Sequence, residues 1–163
     1  MSGKVGYQLS VPPNDMKFGG RFELQSVTGN NFLQEKPDKT LFFGAGNEGL
    51  QLRIVKGLSG VNTVSLESTK YHGWYLRHQN YVIKLNELDN TELFKQDSSF
   101  SIEDLANGQY RFQSLNHPLH YIRINGNQLN ISQIDNSEAS YLTSCFKTTR
   151  YVNGKSKWLF MFL

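Results

Sequence analysis

VSLESTKYHGWYLRH, residues 64–78, and YRFQSLNHPLHYIRI, residues 110–124, run parallel without a gap. They pair Leu66 with Phe112, Ser68 with Ser114, Tyr75 with Tyr121 and Arg77 with Arg123, always 46 positions apart. The offset persists through Asp89/Asp135 and Phe100/Phe146, so one structural unit has been used at least twice. A fainter copy precedes them. In RFELQSVTGNNFLQE, residues 21–35, Leu24, Ser26 and Phe32 stand where Leu66, Ser68 and Tyr75 do, with a turn one residue shorter, and Leu52 answers Phe100.

Each unit reads as short strands parted by turns. VSLES, WYLRH, YVIKL and SFSIE alternate or cluster β-branched and aromatic residues, while KYHG, HQN, NELDNTE and ANGQ carry turn chemistry. No window keeps apolar residues at helical spacing for three turns, so helix content is expected to be low. Three four-stranded units have a natural closed solution, in which six strands form a barrel and three hairpins cap one end. The predicted fold is therefore an all-β β-trefoil with repeats at about 20–60, 62–106 and 108–150. VGYQLSV and WLFMFL fall outside the units and read as terminal strands, 4–11 and 157–163, that pair or seal the barrel seam.

A chain of 163 residues with 38% hydrophobic content suits one domain with a sizeable core. No apolar run approaches the roughly 20 residues that a spanning helix needs. The start, MSGKVGYQLS, has no apolar core of a secretory signal, which favours the cytoplasm, or an extracellular setting for a mature fragment. The single cysteine, Cys145, excludes an internal disulfide and is expected to be a packed thiol beside Phe146. A net charge of +3 is mild and argues against nucleic-acid binding. Lys147, Arg150, Lys155 and Lys157 form the only basic cluster, read as a solvated edge, or alternatively as a seat for anionic glycans or lipid head groups.

NTVSLESTKYHGWYLRHQNYVIKLNELDNTELFKQDSSFSI, residues 62–102, resembles a repeat of the arabinofuranosidase-B-type carbohydrate-binding domain, the family-42 carbohydrate-binding module. The shared phrases are Tyr71 and Gly73, Tyr75 to His78, Leu88 and Asp89, Leu93 and Phe94, then Asp97 and Phe100. LRIVKGLSG, before this unit, is similar to the family's bridge between repeats. The resemblance implies a β-trefoil, in agreement with the repeat argument, and a pocket made by His78 and Asp97 with Tyr71 beside them and Trp74 extending the platform. It also implies arabinofuranose as the ligand. The chemistry suits a polyol: a carboxylate accepts two hydrogen bonds from neighbouring hydroxyls, an imidazole donates or accepts another, and an aromatic ring packs on the sugar's C–H face.

Comparison among the repeats separates scaffold from site. Arg77 and Asp89 recur as Arg123 and Asp135 and read as structural, pinning turns around the hairpins. His78 and Asp97 do not recur: their equivalents are Ile124 and Thr143 in the third unit, and Glu35 and about Gly49 in the first. One pocket, in the middle unit, is expected, and its strength is roughly millimolar. Where Tyr71 sits the third unit has His117.

Other patterns carry less. GAGNEG, residues 44–49, matches the dinucleotide fingerprint by letter, but LQLRIV follows as a strand where the motif needs a helix. His117 and His120 have ligand-like spacing, with Pro118 between them marking a turn. No GxSxG elbow or activated nucleophile is present, and a Glu67 and Asp97 pairing for glycoside hydrolysis needs a separation that sequence does not supply. Asn130 heads a sequon that matters only in a secreted protein. The reading is a non-enzymatic, lectin-like monomer with no cofactor and no metal, whose partner is an arabinofuranose-containing glycan. Its rival is a protein-interaction module that has lost sugar binding, and an exposed apolar patch would mark it.

Overall fold

The computed structural model describes residues 19–28, 31–106, 108–152 and 155–156. The first unit holds β1 (Arg21–Ser26), β2 (Asn31–Glu35), β3 (Leu41–Ala45) and β4 (Leu52–Lys56). The second holds β5 (Val64–Ser68), β6 (Trp74–Gln79), β7 (Val82–Glu87), a short helix α1 (Glu92–Asp97) and β8 (Phe100–Asp104). The third holds β9 (Gln109–Ser114), β10 (His120–Asn125), β11 (Gln128–Gln133), α2 (Glu138–Ser144) and β12 (Phe146–Val152), after which β13 (Lys155–Ser156) pairs back on β12.

Antiparallel pairings β1–β4, β4–β5, β5–β8, β8–β9, β9–β12 and β12–β1 run full circle. These six strands close the barrel, and the hairpins β2–β3, β6–β7 and β10–β11 cap it. The chain is a β-trefoil, as the repeats predict. Closure leaves the ring with no free edge to template another chain.

The strand period of two explains the core. Phe22 and Leu24, Leu52 and Ile54, Val64 and Leu66, Phe100 and Ile102, Tyr110 and Phe112, and Phe146 are the alternate residues of the six ring strands, and all are buried in one cluster. A slip of one residue on any strand would turn that strand's apolar set outward, so the pattern fixes the register. Fully burying side chains of this size contributes on the order of 1.5–3 kcal/mol each. Cys145 is buried as expected, and its Sγ accepts a hydrogen bond from Arg111 Nη2 at 3.4 Å.

The two helices among the described residues are too short to register as a helical period. Each is made by capping: Thr91 Oγ1 accepts from Phe94 N at 3.1 Å, and Ser137 Oγ accepts from Ser140 N at 3.1 Å. Asp89 and Asp135 set up those caps. Asp89 Oδ1 accepts from Thr91 N and Oγ1 at 2.9 and 2.7 Å, and Asp135 Oδ1 from Ser137 N and Ser140 Oγ, both at 2.9 Å. The repeated aspartate is thus a turn-pinning residue. In the first unit Gly44 of GAGNEG lies within β3, Gly46 and Gly49 stand in the loop between β3 and β4, and no helix follows them.

The expected terminal strands, 4–11 and 157–163, lie outside the described residues, as does Lys157 of the basic cluster. No helix among the described residues is long and apolar enough to cross a membrane.

Candidate functional site

The β6–β7 hairpin, the end of α1 and the β9–β10 turn meet at a cleft of about 360 Å³. β6 supplies Arg77 and His78, the last residue of α1 is Asp97, and the third unit supplies His117 to the same lining. Asp97 is 6% exposed, His78 4% and Arg77 9%, so three polar groups are held out of water at one place. Such groups persist only when they are partnered.

The partnering is dense. Arg77 Nη2 donates to Asp97 Oδ2 at 3.1 Å, and Asn116 Nδ2 donates to Asp97 Oδ1 at 2.8 Å. His78 Nε2 lies 2.8 Å from Asn116 Oδ1, 3.3 Å from Ser114 Oγ and 3.6 Å from Asp97 Oδ1. Burial pushes the His78 pKa below its ordinary value. The Asn116 hydrogen bond and the Asp97 charge resist that shift, while His117 and Arg77 add to it. The imidazole is therefore neutral at neutral pH. Arg77 also lies over the Phe94 ring, 4.8 Å from its centroid, and its buried Nε has no hydrogen-bond partner among the described residues.

The aromatic wall comes from the hairpin tip. Gln79 pairs with Val82, which leaves Asn80 and Tyr81 as a two-residue loop with φ of 52° and 66°. Positive φ at both positions is the geometry that favours Asn-Gly. Here the second place is Tyr81, half-exposed at the cleft mouth. Its ring stacks on His120 at 5.3 Å and lies 5.4 Å from His117, which in turn meets His78 edge-on at 5.1 Å.

Of the residues singled out in the sequence, His78 and Asp97 come together. Tyr71 and Trp74 do not join them. Their rings lie 5.9 Å apart, with the Lys39 ammonium 4.6 Å from the Tyr71 centroid and 5.3 Å from that of Trp74. The reason lies in the topology. Lys39, at the tip of the first hairpin, covers the aromatic pair of the second unit, just as Tyr81 covers His117 and His120 of the third. These histidines are the residues 46 places after Tyr71 and Trp74. A cleft in this fold is built across a seam, with its wall drawn from the next unit. The corresponding cleft at the first seam, about 500 Å³, is lined by Glu35, Gly49 and Lys70 where His78, Asp97 and Asn116 stand at the second.

Arg77, Asn116, His117 and Tyr81 line or border the cleft, and the sequence reading did not assign them to it. Arg77 recurs, so it reads as scaffold. In the third unit Arg123 Nε indeed donates to Thr143 Oγ1 at 2.8 Å, the place Asp97 takes in the second. A tyrosine in an Asn-Gly slot was the one local signal for Tyr81. Glu67 is held elsewhere, by Arg53, His72 and Gly73 N at 3.4, 3.1 and 2.8 Å, and takes no part in the cleft.

Comparison with known proteins agrees with this fold. Residues 44–155 match the family model of the alpha-L-arabinofuranosidase B (ABFB) domain. Alpha-L-arabinofuranosidase B of Emericella nidulans is 40% identical over 62 residues, 37% of this chain and 12% of that protein. Among solved structures, a GH54 α-L-arabinofuranosidase soaked with a cyclic sulfate inhibitor superposes with a TM-score of 0.70 at 23% identity, over 85% of this chain and 32% of that one. A designed 3-fold symmetric protein, ThreeFoil, gives a TM-score of 0.62 at 11% identity over 79% and 97%. The matched stretch therefore spans about an eighth of the curated relative's length.

Proposed function

The chain belongs to the alpha-L-arabinofuranosidase B domain family, the carbohydrate-binding part of that enzyme, and we propose that it acts as a non-catalytic module that holds one arabinofuranose-type unit in the cleft between its second and third repeats. The observation that carries this reading is the convergence of Asp97, His78 and Arg77 at a cleft walled by Tyr81 and His117. A buried carboxylate, a neutral imidazole and a guanidinium provide acceptors and donors in a fixed array, which matches adjacent sugar hydroxyls. The Tyr81 ring offers an apolar face to the sugar's C–H side. At about 360 Å³ the cleft lies at the small end of ligand pockets, which suits a single pentose. Tyr71 and Trp74 are assigned no contact with this ligand.

The test is a two-dimensional NMR titration of labelled protein with an arabinofuranose-substituted oligosaccharide, run beside Asp97→Thr. Saturable shifts are expected at 77–81, 97 and 116–120, with roughly millimolar affinity, and are expected to vanish in the variant. Shifts that stay flat into tens of millimolar sugar, or that centre on Tyr71 and Trp74, overturn the reading.

A further inference from the structure

Hydrogen-bond logic fixes one feature of the cleft that no repeat comparison reveals. Asp97 is ion-paired with Arg77, so its carboxylate accepts and does not donate. The group 2.8 Å from its Oδ1 must therefore be the amide nitrogen of Asn116, because the reverse orientation sets two acceptors against each other. That choice turns the Asn116 oxygen toward His78 Nε2, 2.8 Å away. An amide oxygen also only accepts, so Nε2 carries the proton. Ser114 fits the same arrangement, its Oγ donating to Asn116 Oδ1 at 3.2 Å. The direction of every bond follows from the charge of Asp97.

We propose that Asn116, contributed by the third unit, is a positioning residue that locks His78 as the Nε2–H tautomer, leaving Nδ1 as the ring's acceptor for a hydroxyl donated by the ligand. The second half of this statement rests on the sugar-site reading; the first does not. At the first seam Lys70 occupies the Asn116 place and Glu35 the His78 place, so no such relay exists there. The relay also crosses a seam, tying the His78 hydrogen on β6 to a residue that follows β9.

The first measurement needs no variant and no ligand. Long-range ¹H–¹⁵N spectra of the labelled protein, taken above the histidine titration range, are expected to show His78 protonated on Nε2; protonation on Nδ1 overturns the proposal. Asn116→Ala is then expected to give a mixture of tautomers and to move the His78 titration midpoint further down, because the lost hydrogen bond favoured the charged ring. If Asn116 merely fills space, its removal admits water and moves the midpoint up, which also overturns the proposal. Sugar affinity in Asn116→Ala is expected to fall about tenfold, and unchanged affinity refutes the positioning role. A wild type that binds no sugar refutes the hydroxyl half together with the proposed function, while the tautomer half is decided by its own spectrum.

Discussion

Replacing Asp97 tests both the electrostatics of the cleft and the meaning of the repeat. In Asp97→Ala the Arg77 guanidinium, 9% exposed and with its Nε already without a hydrogen-bond partner among the described residues, loses the one ion pair it makes among those residues. Breaking a buried pair by removing one member costs about 3–5 kcal/mol, because a charge is left out of water without compensation. The contact with Phe94 remains and keeps the loss toward the lower end. Asp97→Thr installs the solution that the third unit uses, where Arg123 Nε donates to Thr143 Oγ1 at 2.8 Å. One hydrogen bond to a charged group restores about 2 kcal/mol, so Asp97→Thr is expected to lose about half of what Asp97→Ala loses. Urea unfolding followed by tryptophan fluorescence measures both, and the m-values should match wild type. Equal losses in the two variants would show that Arg77 does not depend on its partner at this position, and the account of the cleft as a balanced ion pair would fall. A loss below about 1 kcal/mol in Asp97→Ala would refute it as well.

Three further outcomes follow from the same contacts. His78 binds its proton less readily folded than unfolded, so between its depressed folded pKa and about 6.5 the unfolded chain takes up the extra proton and stability falls as pH falls. The slope reaches at most about 1.4 kcal/mol per pH unit, and denaturation at several pH values should show it in the wild type and lose it in His78→Gln. Gly49→Ala places a Cβ 2.5 Å from Leu33 O and 2.8 Å from Phe32 Cβ, and the forced backbone shift is expected to cost about 1–3 kcal/mol by the same unfolding assay; a neutral substitution would refute the close approach. Tyr81→Gly relieves a left-handed tyrosine while removing a ring that rests on two imidazoles, so stability should change by less than about 1 kcal/mol while sugar titrations weaken severalfold; unaltered affinity would remove Tyr81 from the site.

The trefoil was legible because the core depends on a period of two, repeated at a fixed offset. Val64 and Leu66, Tyr110 and Phe112 announce their inward positions in the bare chain, and no competing pattern is as regular. His78 and Asp97 were legible for the opposite reason, as the places where the repeat is broken. The wall of the cleft was not. Tyr71 lies seven residues before His78 and reads as its neighbour, yet the hairpin carries His78 toward the next unit, where the His117 ring meets it. Sequence proximity fails here because strand pairing, not chain order, decides which turn faces which hairpin. Arg77 was hidden by recurrence: a residue present in two units looks like scaffold, although its partner, Asp97 or Thr143, decides whether it is held by a carboxylate or by a hydroxyl. The helices were hidden by length, being made by Thr91 and Ser137 as caps rather than by an apolar stripe.

Why the Asp97, His78 and Arg77 cluster stands at one seam and not at three follows from the backbone as much as from the side chains. At the first seam the carboxylate's place is taken by Gly49, whose N–H donates to Glu23 Oε1 at 3.1 Å and whose neighbour Leu50 donates to Leu33 O at 2.7 Å. Those bonds draw residues 49–50 against β2 so closely that a Cβ at 49 has no room. An aspartate could not have been kept there without undoing them, and with no helix between β3 and β4 there is no helix end to present one. The third unit retains the helix and the arginine but fills the remaining places with Thr143 and Ile124, which neutralises one partner and removes the imidazole. The second unit alone combines a helix ending in Asp97, an arginine to hold it, a histidine beside it and, across the seam, Asn116 to orient both. The cleft therefore belongs to the closed ring and not to a repeat. A fragment ending before β9 would keep His78 and Asp97 and still lack the residues that aim them.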